Sequence, residues 1–352
     1  MLAWSLLSLG ERAPSVASSK STMEGFQMTA SGSISSLIVI GLAGSLLGAC
    51  SGHDTRSRTA SFFGETNGYF VDPAAAAGLS VSNSVGALAA EIDGRYQFFC
   101  SAIHIAPQSI MTNHHCSEIL VDNPGLQIFF YKNYRASKRD AGQINFVVSG
   151  NGALEPSFSG TLAAPIVPED MIEVDFSHPK LDLISGVGNF DVYVAPLKKA
   201  TPGFLSAKPI REASELILIS FPGGLPQFSS TDCRVVGGDG PTTVYHDCDS
   251  FGGSSAGLLV DAQSLRPFAI HKAGLNEKFT SEDSNFYKLN HRMMTREEHA
   301  AAYCNAQRFH PADCPAVYLR DHMHNFATPL VDIPGINWDT ILLDGEAPGN
   351  EN

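Results

Sequence analysis

Between residues 85 and 289, short apolar runs alternate with Gly, Pro, Asn and Asp, and this pattern limits the folds open to the chain. The clearest runs cover residues 126–131, 144–148 and 216–220. Their length, composition and spacing are typical of strands in an all-β barrel or sandwich. Convincing helical periodicity occurs only near residues 295–304, where Thr295 and Glu298 form a capping-box pattern. We therefore predict an all-β fold with a short helical or irregular C-terminal extension.

The composition of the 352-residue chain is that of an ordinary globular protein, with 43% hydrophobic and 17% charged residues. This composition argues against wholesale disorder, and the length is enough for one large domain or two of medium size. The net charge of −13 and the lack of a Lys/Arg-rich stretch argue against a nucleic-acid partner.

Residues 37–49 form an uncharged, mostly apolar run that is too short to span a bilayer but suits the h-region of an export signal. The run ends Leu-Gly-Ala-Cys at Cys50 and resembles the lipobox of bacterial lipoproteins, in which that cysteine is lipidated and becomes the mature N-terminus. We predict a signal peptide over 1–49, a lipid anchor at Cys50 on the cell envelope, and a tether or short propeptide over 50–84. The alternatives are an ordinary signal peptide of a secreted protein and a buried apolar segment.

The cysteine count also bears on location, because seven cysteines leave one unpaired. If Cys50 is lipidated, the other six fall into three local pairs: Cys100 with Cys116, Cys233 with Cys248, and Cys304 with Cys314. A disulfide closing a loop of this length contributes about 3 kcal/mol. A zinc site is the competing interpretation, but the chain has no C-x-x-C pair. The pattern fits an oxidising compartment, and we expect neither a metal nor an organic cofactor.

Two segments carry residues suited to nucleophilic catalysis. In residues 100–116, two cysteines flank two strand-like pieces, and a disulfide there would fix the backbone beside His115, as a general base requires. In residues 253–260, Ser255 lies between small residues at a tight turn before an apolar run. A hydroxyl nucleophile needs such a setting, with nearby N–H groups free to bind an oxyanion.

Both segments resemble the histidine and serine boxes of chymotrypsin-like serine proteases. The Thr-Asn-His-His-Cys run ending at Cys116 is similar in style to the bacterial glutamyl endopeptidases, and residues 253–260 align without a gap with the family's Gly-Asp-Ser-Gly-Gly-Pro-Leu-Val. The resemblance implies that Ser255 is the nucleophile, that His115 is the base, and that the N–H groups of Gly253 and Ser255 form the oxyanion hole.

The resemblance also implies an architecture and an activity. It covers about residues 85–290 and implies two six-stranded Greek-key β-barrels packed together, at about 85–200 and 201–290, with residues 291–352 as a C-terminal extension. The expected activity is that of a serine endopeptidase, which cleaves protein or peptide substrates as a monomer.

The serine box departs from the family pattern at three positions. Ala256 replaces a glycine, so we predict a negative φ there. Ser254 replaces the aspartate that pairs with a newly cut N-terminus in trypsins, so we expect that activation switch to be absent. Leu258 replaces a proline.

The third member of a triad must be a carboxylate between the two boxes, and the candidates include Asp175, Asp182 and Asp191. Asp191 begins an apolar run that resembles the family's aspartate followed by a strand, so it is the preferred candidate, with Asp182 second. The 76 residues from His115 to Asp191 exceed what trypsins use and predict inserted loops at about 133–180.

Two residues bear on substrate preference and point in opposite directions. Asp249 lies six residues before Ser255, where trypsins keep the aspartate that binds Lys or Arg. His271 lies in a run that resembles the wall of the glutamyl endopeptidase pocket, where a histidine helps to receive an acidic side chain. The sequence leaves both open, together with a purely structural role for Asp249.

Two other functions compete with the protease prediction. A Gly-x-Ser-x-Gly pattern around Ser255 also occurs in α/β-hydrolases, and Asp283 and His291 would supply the downstream partners. That fold requires alternating helices and parallel strands, which the pattern before residue 290 does not show. A catalytically silent protease fold that serves as a surface binding protein is the second alternative.

Overall fold

The computed structural model describes residues 67–138, 140–141, 145–148, 154–184, 189–274, 288–289, 292–293, 301 and 324–343, and every structural statement below refers to them. The predictions at Cys50, at the Cys304/Cys314 pair, at Asp283 and His291, and for a helix near 295–304 lie outside the described residues.

Strands dominate the described chain. In chain order they are β1 (Gly68–Phe70), β2 (Val85–Ile92), β3 (Arg95–Ala106), β4 (Ser109–Thr112), β5 (Ile128–Tyr131), β6 (Asp140–Ala141), β7 (Asn145–Val148), β8 (Leu154–Ser157), β9 (Ile172–Glu173), β10 (Leu181–Leu183), β11 (Val192–Pro196), β12 (Glu215–Ser220), β13 (Phe228–Asp239), β14 (Thr243–His246), β15 (Leu258–Asp261), β16 (Pro267–Ala273), β17 (Lys288–Leu289), β18 (Arg292–Met293) and β19 (Asn325–Pro329).

The helices are short. They are α1 (Pro73–Gly78), α2 (His114–Ser117), α3 (Ile119–Asp122) and α4 (Trp338–Leu343), and single 3-10 turns cover Ser80–Ser84, Pro168–Asp170, Pro222–Gly224, Gly240–Thr242 and Leu330–Asp332. None of the described helices has both the length and the apolar composition needed to cross a lipid bilayer.

The first sheet is antiparallel and curled, with the order β10-β11-β4-β3-β2-β5-β9. Its two ends meet along β11. At one end β10 pairs with β11, and beside it an isolated bridge joins Val174, which follows β9, to Leu197. Hydrogen bonds from Asp175 N to Pro196 O (2.9 Å) and from Lys198 N to Glu173 O (3.0 Å) support the bridge. The strands therefore form a ring β2-β3-β4-β11-β9-β5 that a few bonds close.

The second sheet contains a closed barrel. Its order is β12-β15-β16-β19-β14-β13-β1-β6, and a further pairing of β12 with β13 completes a six-stranded ring. Around that ring the strands run β12-β13-β14-β19-β16-β15. Both rings therefore follow one Greek-key order, in which the first three strands are neighbours and the last three return in reverse. The all-β, two-barrel prediction is confirmed.

The second barrel takes strands from outside the range predicted for it. β19 (Asn325–Pro329) lies between β14 and β16, although the sequence analysis assigned residues 291–352 to an extension. At the other end of the chain, β1 (Gly68–Phe70) adds to β13, although the sequence analysis placed it in a tether. The reason is that the barrel needs a sixth strand between β14 and β16, and residues 201–274 supply only five.

A continuous apolar cluster joins the two barrels. It contains side chains of the first sheet such as Ile103, Met111 and Val192, together with Ile219, Leu258 and Ile270 of the second. Two smaller clusters lie within the first and the second sheet, and each includes one disulfide, Cys100–Cys116 and Cys233–Cys248 respectively. Because burial of apolar area is the main driving force for such packing, the shared cluster fixes the two barrels against each other.

All pairings within the two sheets are antiparallel. An α/β-hydrolase is built on a mostly parallel sheet with crossover helices. The described residues therefore do not support the esterase alternative.

Candidate active site

His115 is held at the edge of the first barrel by its neighbours in sequence. Strand β4 ends at Thr112, Asn113 precedes α2, and the helix starts with His114 and His115. The disulfide from Cys100 in β3 to Cys116 ties this helix to the sheet. The short helix and the disulfide together fix the backbone that carries the imidazole, as a positioned base requires.

Asp191 faces His115 from the residue before β11. Its carboxylate accepts two hydrogen bonds from His115, at Oδ2 from the ring Nδ1 (2.8 Å) and at Oδ1 from the backbone N–H (3.1 Å). The side chain of Asn113 donates to the carbonyl oxygen of Asp191 (2.9 Å). Asp191 has a φ of 52°, a left-handed conformation that is uncommon outside glycine. These bonds therefore hold a turn that the backbone does not favour by itself.

Ser255 belongs to the loop before β15 and meets His115 from the second barrel. Its Oγ lies 2.8 Å from His115 Nε2. Because the Nδ1 proton of the ring points at Asp191, Nε2 is the acceptor and the hydroxyl of Ser255 is the donor. The three side chains form one continuous chain of carboxylate, imidazole and hydroxyl.

The pKa of His115 is raised above its ordinary value. Burial by itself lowers the pKa, because it favours the neutral ring. The charge of the Asp191 carboxylate and its hydrogen bond raise the pKa, and the charge of Glu118 raises it further. The side chain of His115 remains 27% exposed whereas that of Asp191 is 6% exposed. The imidazole is therefore open to a substrate, and the carboxylate behind it is shielded from water.

Ser101 connects the serine loop to the first barrel. Its backbone N–H donates to Ser255 O (2.8 Å), and its hydroxyl donates to Gly253 O (2.9 Å). The same hydroxyl accepts from Phe221 N (3.2 Å). No motif predicted a role for Ser101, although it lies beside Cys100 in the histidine box. Its two bonds tie the loop of Ser255 to the barrel that carries His115.

Gly253 occupies a position that a larger residue would not fit. Its φ is 95°, and a Cβ there would lie 2.7 Å from Phe221 O and 3.1 Å from Gly224 N. Within the described parts of the chain, no acceptor takes the N–H of Gly253 or of Ser255. Both N–H groups are therefore available as donors in the loop that carries Ser255.

Ala256 has a φ of 64°, so the prediction of a negative φ was wrong. Its N–H donates to His271 O (2.8 Å), and Gly257 N donates to Ser254 O (2.8 Å), so the loop turns back onto β16 directly after the serine. That reversal needs the left-handed conformation. In an alanine the conformation costs about 1–2 kcal/mol.

Ser254, where trypsins have an aspartate, is fully buried within the loop. Its hydroxyl accepts from Ser220 Oγ (3.1 Å) and from Phe251 N (3.1 Å). These bonds join the serine loop to the end of β12.

Asp249 follows β14 in the second barrel and is almost fully buried. Its Oδ2 accepts from the backbone N–H of Asn67 (3.0 Å), and its own N–H donates to Ser230 Oγ (2.9 Å). Asn67 precedes β1, so this carboxylate anchors the start of the described chain to the barrel.

His271 is paired with a second buried histidine. His246 Nδ1 accepts from Cys248 N (3.3 Å), so its proton lies on Nε2, which donates to His271 Nδ1 (3.1 Å). Burial, with a smaller contribution from His115, lowers the pKa of His271 to about 3. His271 is therefore neutral with its proton on Nε2, a hydrogen-bond donor.

The other candidate carboxylates lie away from His115. Asp182 in β10 bonds the neighbouring histidine, with 2.5 Å between its Oδ1 and His114 Nδ1. Asp175 accepts from Ser177 and His178 within an exposed turn. Of the three aspartates that the sequence analysis named, the structure brings Asp191 to the base.

Among the described residues, one group of potential metal ligands lies close together, at Cys100, His115 and Cys116. The two sulfurs are joined in a disulfide, so they cannot act as thiolate ligands. The site geometry therefore does not fit the zinc alternative.

No family model and no curated protein matches the chain. Solved structures similar to it include a Glu endopeptidase in complex with MPD, with 18% identity over 59% of this chain and 86% of the other and a TM-score of 0.32. The Rv3671c protease from M. tuberculosis in its active form shows 12% identity over 78% and 85%, with a TM-score of 0.37. The HtrA-type protease AlgW with tripeptide shows 13% identity over 72% of this chain and 60% of the other, with a TM-score of 0.36. Values this low carry no argument about activity, which rests on the geometry described above.

Proposed function

We propose that this chain is a serine endopeptidase in which Ser255 is the nucleophile, His115 the general base and Asp191 the residue that orients the base. The observation that carries the proposal is the unbroken chain of two 2.8 Å contacts, from Asp191 through His115 to Ser255. A hydroxyl becomes a competent nucleophile when a positioned base takes its proton, and the base acts when a third group fixes its tautomer.

The chemistry follows from these positions. As Ser255 Oγ attacks the carbonyl carbon of a peptide bond, its proton moves to His115 Nε2, and Asp191 stabilises the imidazolium that forms. The N–H groups of Gly253 and Ser255 bind the oxyanion. His115 then protonates the leaving amine, which releases the first product and leaves an acyl-enzyme. Water, deprotonated by the same imidazole, hydrolyses the ester and restores Ser255.

The pH dependence of this step has a defined direction. His115 must be neutral to accept the proton of Ser255, and its pKa is raised by Asp191. The acylation rate should therefore be low below the raised pKa and should increase as the pH passes through it.

Substrate preference is proposed to depend on His271 rather than on Asp249. The Asp249 carboxylate already accepts the N–H of Asn67, whereas neutral His271 keeps a proton on Nε2 that suits a carboxylate or another acceptor. Cleavage profiling across a peptide library tests this assignment. Preference for Glu or for neutral polar side chains supports His271, and preference for Lys or Arg contradicts it and favours Asp249.

The protein is further proposed to act outside the cytoplasm, as a monomer anchored through a lipid at Cys50. The disulfides Cys100–Cys116 and Cys233–Cys248 fit an oxidising compartment. Metabolic labelling with a radioactive fatty acid tests the anchor. Incorporation in the wild type that disappears in Cys50→Ser is expected, and wild-type protein without lipid contradicts the proposal.

A fluorophosphonate probe tests the proposed activity directly. We expect folded wild-type protein to form an adduct at Ser255 and to hydrolyse peptides, and we expect Ser255→Ala to lose both while keeping its fold. The matched control is Ser177→Ala, because Ser177 also lies beside an aspartate and a histidine, Asp175 and His178, but in an exposed turn. An adduct at Ser177, or none in folded wild type, would point to a catalytically silent binding protein or to a different site.

A further inference from the structure

Lys272 is a buried lysine that the proposed mechanism does not yet use. It follows His271 in β16 and is 4% exposed. Its Nζ donates to Asn189 O (2.9 Å), Thr242 O (3.1 Å) and Thr243 Oγ1 (2.8 Å). An ammonium group has three protons, so these three neutral oxygens satisfy it completely.

Burying this cation has a free-energy cost, which lowers the stability of the folded protein. Burial lowers the pKa of Lys272 to about 8, and the Asp191 carboxylate opposes part of that shift. An apolar side chain of similar volume would avoid this penalty but would leave the carbonyl oxygens of Asn189 and Thr242 without this donor. The lysine therefore accepts a desolvation cost in return for bonds that fix these particular backbone groups.

The bond from Lys272 to Asn189 crosses from the second barrel to the turn before Asp191. The next carbonyl of that turn, Phe190 O, accepts from Thr328 Oγ1 of β19 (2.6 Å). The second barrel therefore holds both residues that precede Asp191, while Asn113 holds Asp191 itself from the first barrel.

This turn needs external support because Asp191 has a φ of 52°. A non-glycine residue in this conformation is strained by roughly 1–3 kcal/mol and persists where its surroundings fix it. If Asn189 and Phe190 were released, the turn could relax, and the carboxylate of Asp191 would move relative to the ring of His115.

We propose that Lys272 is a positioning residue, which clamps the turn at Asn189 so that the carboxylate of Asp191 points at Nδ1 of His115. The inference rests on the proposed function and deepens it, because it makes the orientation of the base depend on the barrel that carries Ser255. Packing of the two barrels against each other during folding would then form both the His115–Ser255 contact and the turn that ends at Asp191.

The primary test is Lys272→Met, which keeps the stem volume and removes the donors. We expect kcat and the rate of fluorophosphonate labelling to fall 10- to 100-fold with KM changed little, since a displacement of about 1 Å in a catalytic group costs up to about 10² in rate. The matched control is Lys180→Met, because the ammonium group of Lys180 donates to Ser109 Oγ in the first sheet instead of to the turn. Its labelling rate should equal that of the wild type.

A double variant shows whether Lys272 acts through Asp191. If it does, adding Lys272→Met to Asp191→Asn should cause little further loss, because the group that the lysine positions has lost its role. If the double variant instead loses rate by the product of the two single-variant factors, the proposal is wrong. The resonance of the His115 Nδ1 proton gives a readout that a general loss of stability would not imitate. It should shift in folded Lys272→Met and remain in place in Lys180→Met.

The outcomes separate this inference from the proposed function. Wild-type protein that does not label at Ser255 overturns the proposed function, and the inference with it. Wild-type protein that labels, together with Lys272→Met that labels at the same rate, overturns the inference alone. If Lys272→Met does not fold, Thr328→Val removes the other bond to the turn and should lower labelling in the same way, and an unchanged rate in that variant contradicts the clamp.

Discussion

The two barrels share one strand order but are closed and connected differently. The first ring is closed by one bridge, Val174 to Leu197, with a few neighbouring bonds, whereas the second is closed by the continuous pairing of β12 with β13. The second barrel also gains β1 along β13. The proposed base and orienting carboxylate belong to the loosely closed barrel, and the proposed nucleophile belongs to the firmly closed one.

This difference shows where the site obtains its precision. Asp191 lies directly before β11, the strand along which the first ring is closed, and has a strained backbone. Bonds within the first barrel, from Asn113 and His115, hold Asp191 itself. Other bonds cross between the barrels, from Ser101 to the Ser255 loop and from Lys272 to Asn189. The proposed catalytic geometry therefore depends on both barrels.

The largest expected effect tests which carboxylate of the first barrel orients the base. Asp191→Asn should lower kcat by about 10⁴, because an amide favours the wrong tautomer of the imidazole. Asp182→Asn is the matched control, since Asp182 lies in the same sheet and bonds His114 instead of His115. Steady-state hydrolysis of a peptide substrate measures both. A loss of 10⁴ in Asp182→Asn with an active Asp191→Asn would reverse the assignment.

The sequence was sufficient for the parts of the site that local motifs encode. His115 beside Cys116 and Ser255 among small residues were recognisable because a tight turn and a disulfide each leave a local signature. The strand pattern predicted an all-β fold, because short apolar runs between turn residues reflect burial in a sheet. The division into two barrels followed from the resemblance of the two boxes to chymotrypsin-like proteases.

The sequence was insufficient where distant segments decide the outcome. β19 was missed because a five-residue strand with Asn, Thr and Pro has a weak signal, and its partners β14 and β16 lie more than 50 residues away. Lys272 was missed because a lysine in a strand indicates a solvent-facing position, and its burial depends on the turn at Asn189. The left-handed φ of Ala256 was missed because the direction of the turn depends on the carbonyl of His271.

Each barrel contains one disulfide, and the two are expected to contribute similarly to stability. Cys100–Cys116 and Cys233–Cys248 close loops of nearly equal length, with separations of 16 and 15 residues. Removing either pair by substitution with alanine should therefore lower the free energy of unfolding by a similar amount, about 3 kcal/mol. Urea denaturation under oxidising conditions measures this.

The two disulfide variants should differ in activity. Cys100–Cys116 ties the helix of His115 to β3, whereas Cys233–Cys248 ties β13 to the segment that follows β14. At a temperature where both variants are folded, the labelling rate at Ser255 should fall more in the first. Equal losses of labelling in the two variants would show that Cys100–Cys116 does not fix His115. Unequal losses in the free energy of unfolding would show that strain or residual structure outweighs loop length.

The smallest expected effect compares the buried histidines of the two barrels. In the second, His246 and His271 bond each other, whereas in the first the ring of His104 is fully buried and neither nitrogen makes a hydrogen bond of normal geometry with the described residues. Burial, aided by the charge of Lys132, lowers the pKa of His104 to about 4, although nearby backbone carbonyls act in the opposite direction.

The lowered pKa defines a pH window for stability. Between about pH 6.5 and pH 4 the unfolded chain binds a proton at His104 that the folded chain does not, so the free energy of unfolding must fall as the pH falls through this window. At pH 5 the loss amounts to about 2 kcal/mol relative to neutral pH. Replacing His104 by leucine should remove that part of the pH dependence, and urea denaturation at pH 7.5 and pH 5 measures it.

The control for this prediction is His178→Leu, because His178 is an exposed histidine attached to the same barrel. Its variant should keep the pH dependence of the wild type. Any decrease in the free energy of unfolding on acidification that remains in His104→Leu comes from other titratable groups. One of them is His271 of the second barrel, whose pKa is also lowered. If His104→Leu loses as much stability on acidification as the wild type, the imidazole of His104 is accessible to protons in the folded state, and the first barrel opens around it more readily than its buried position implies.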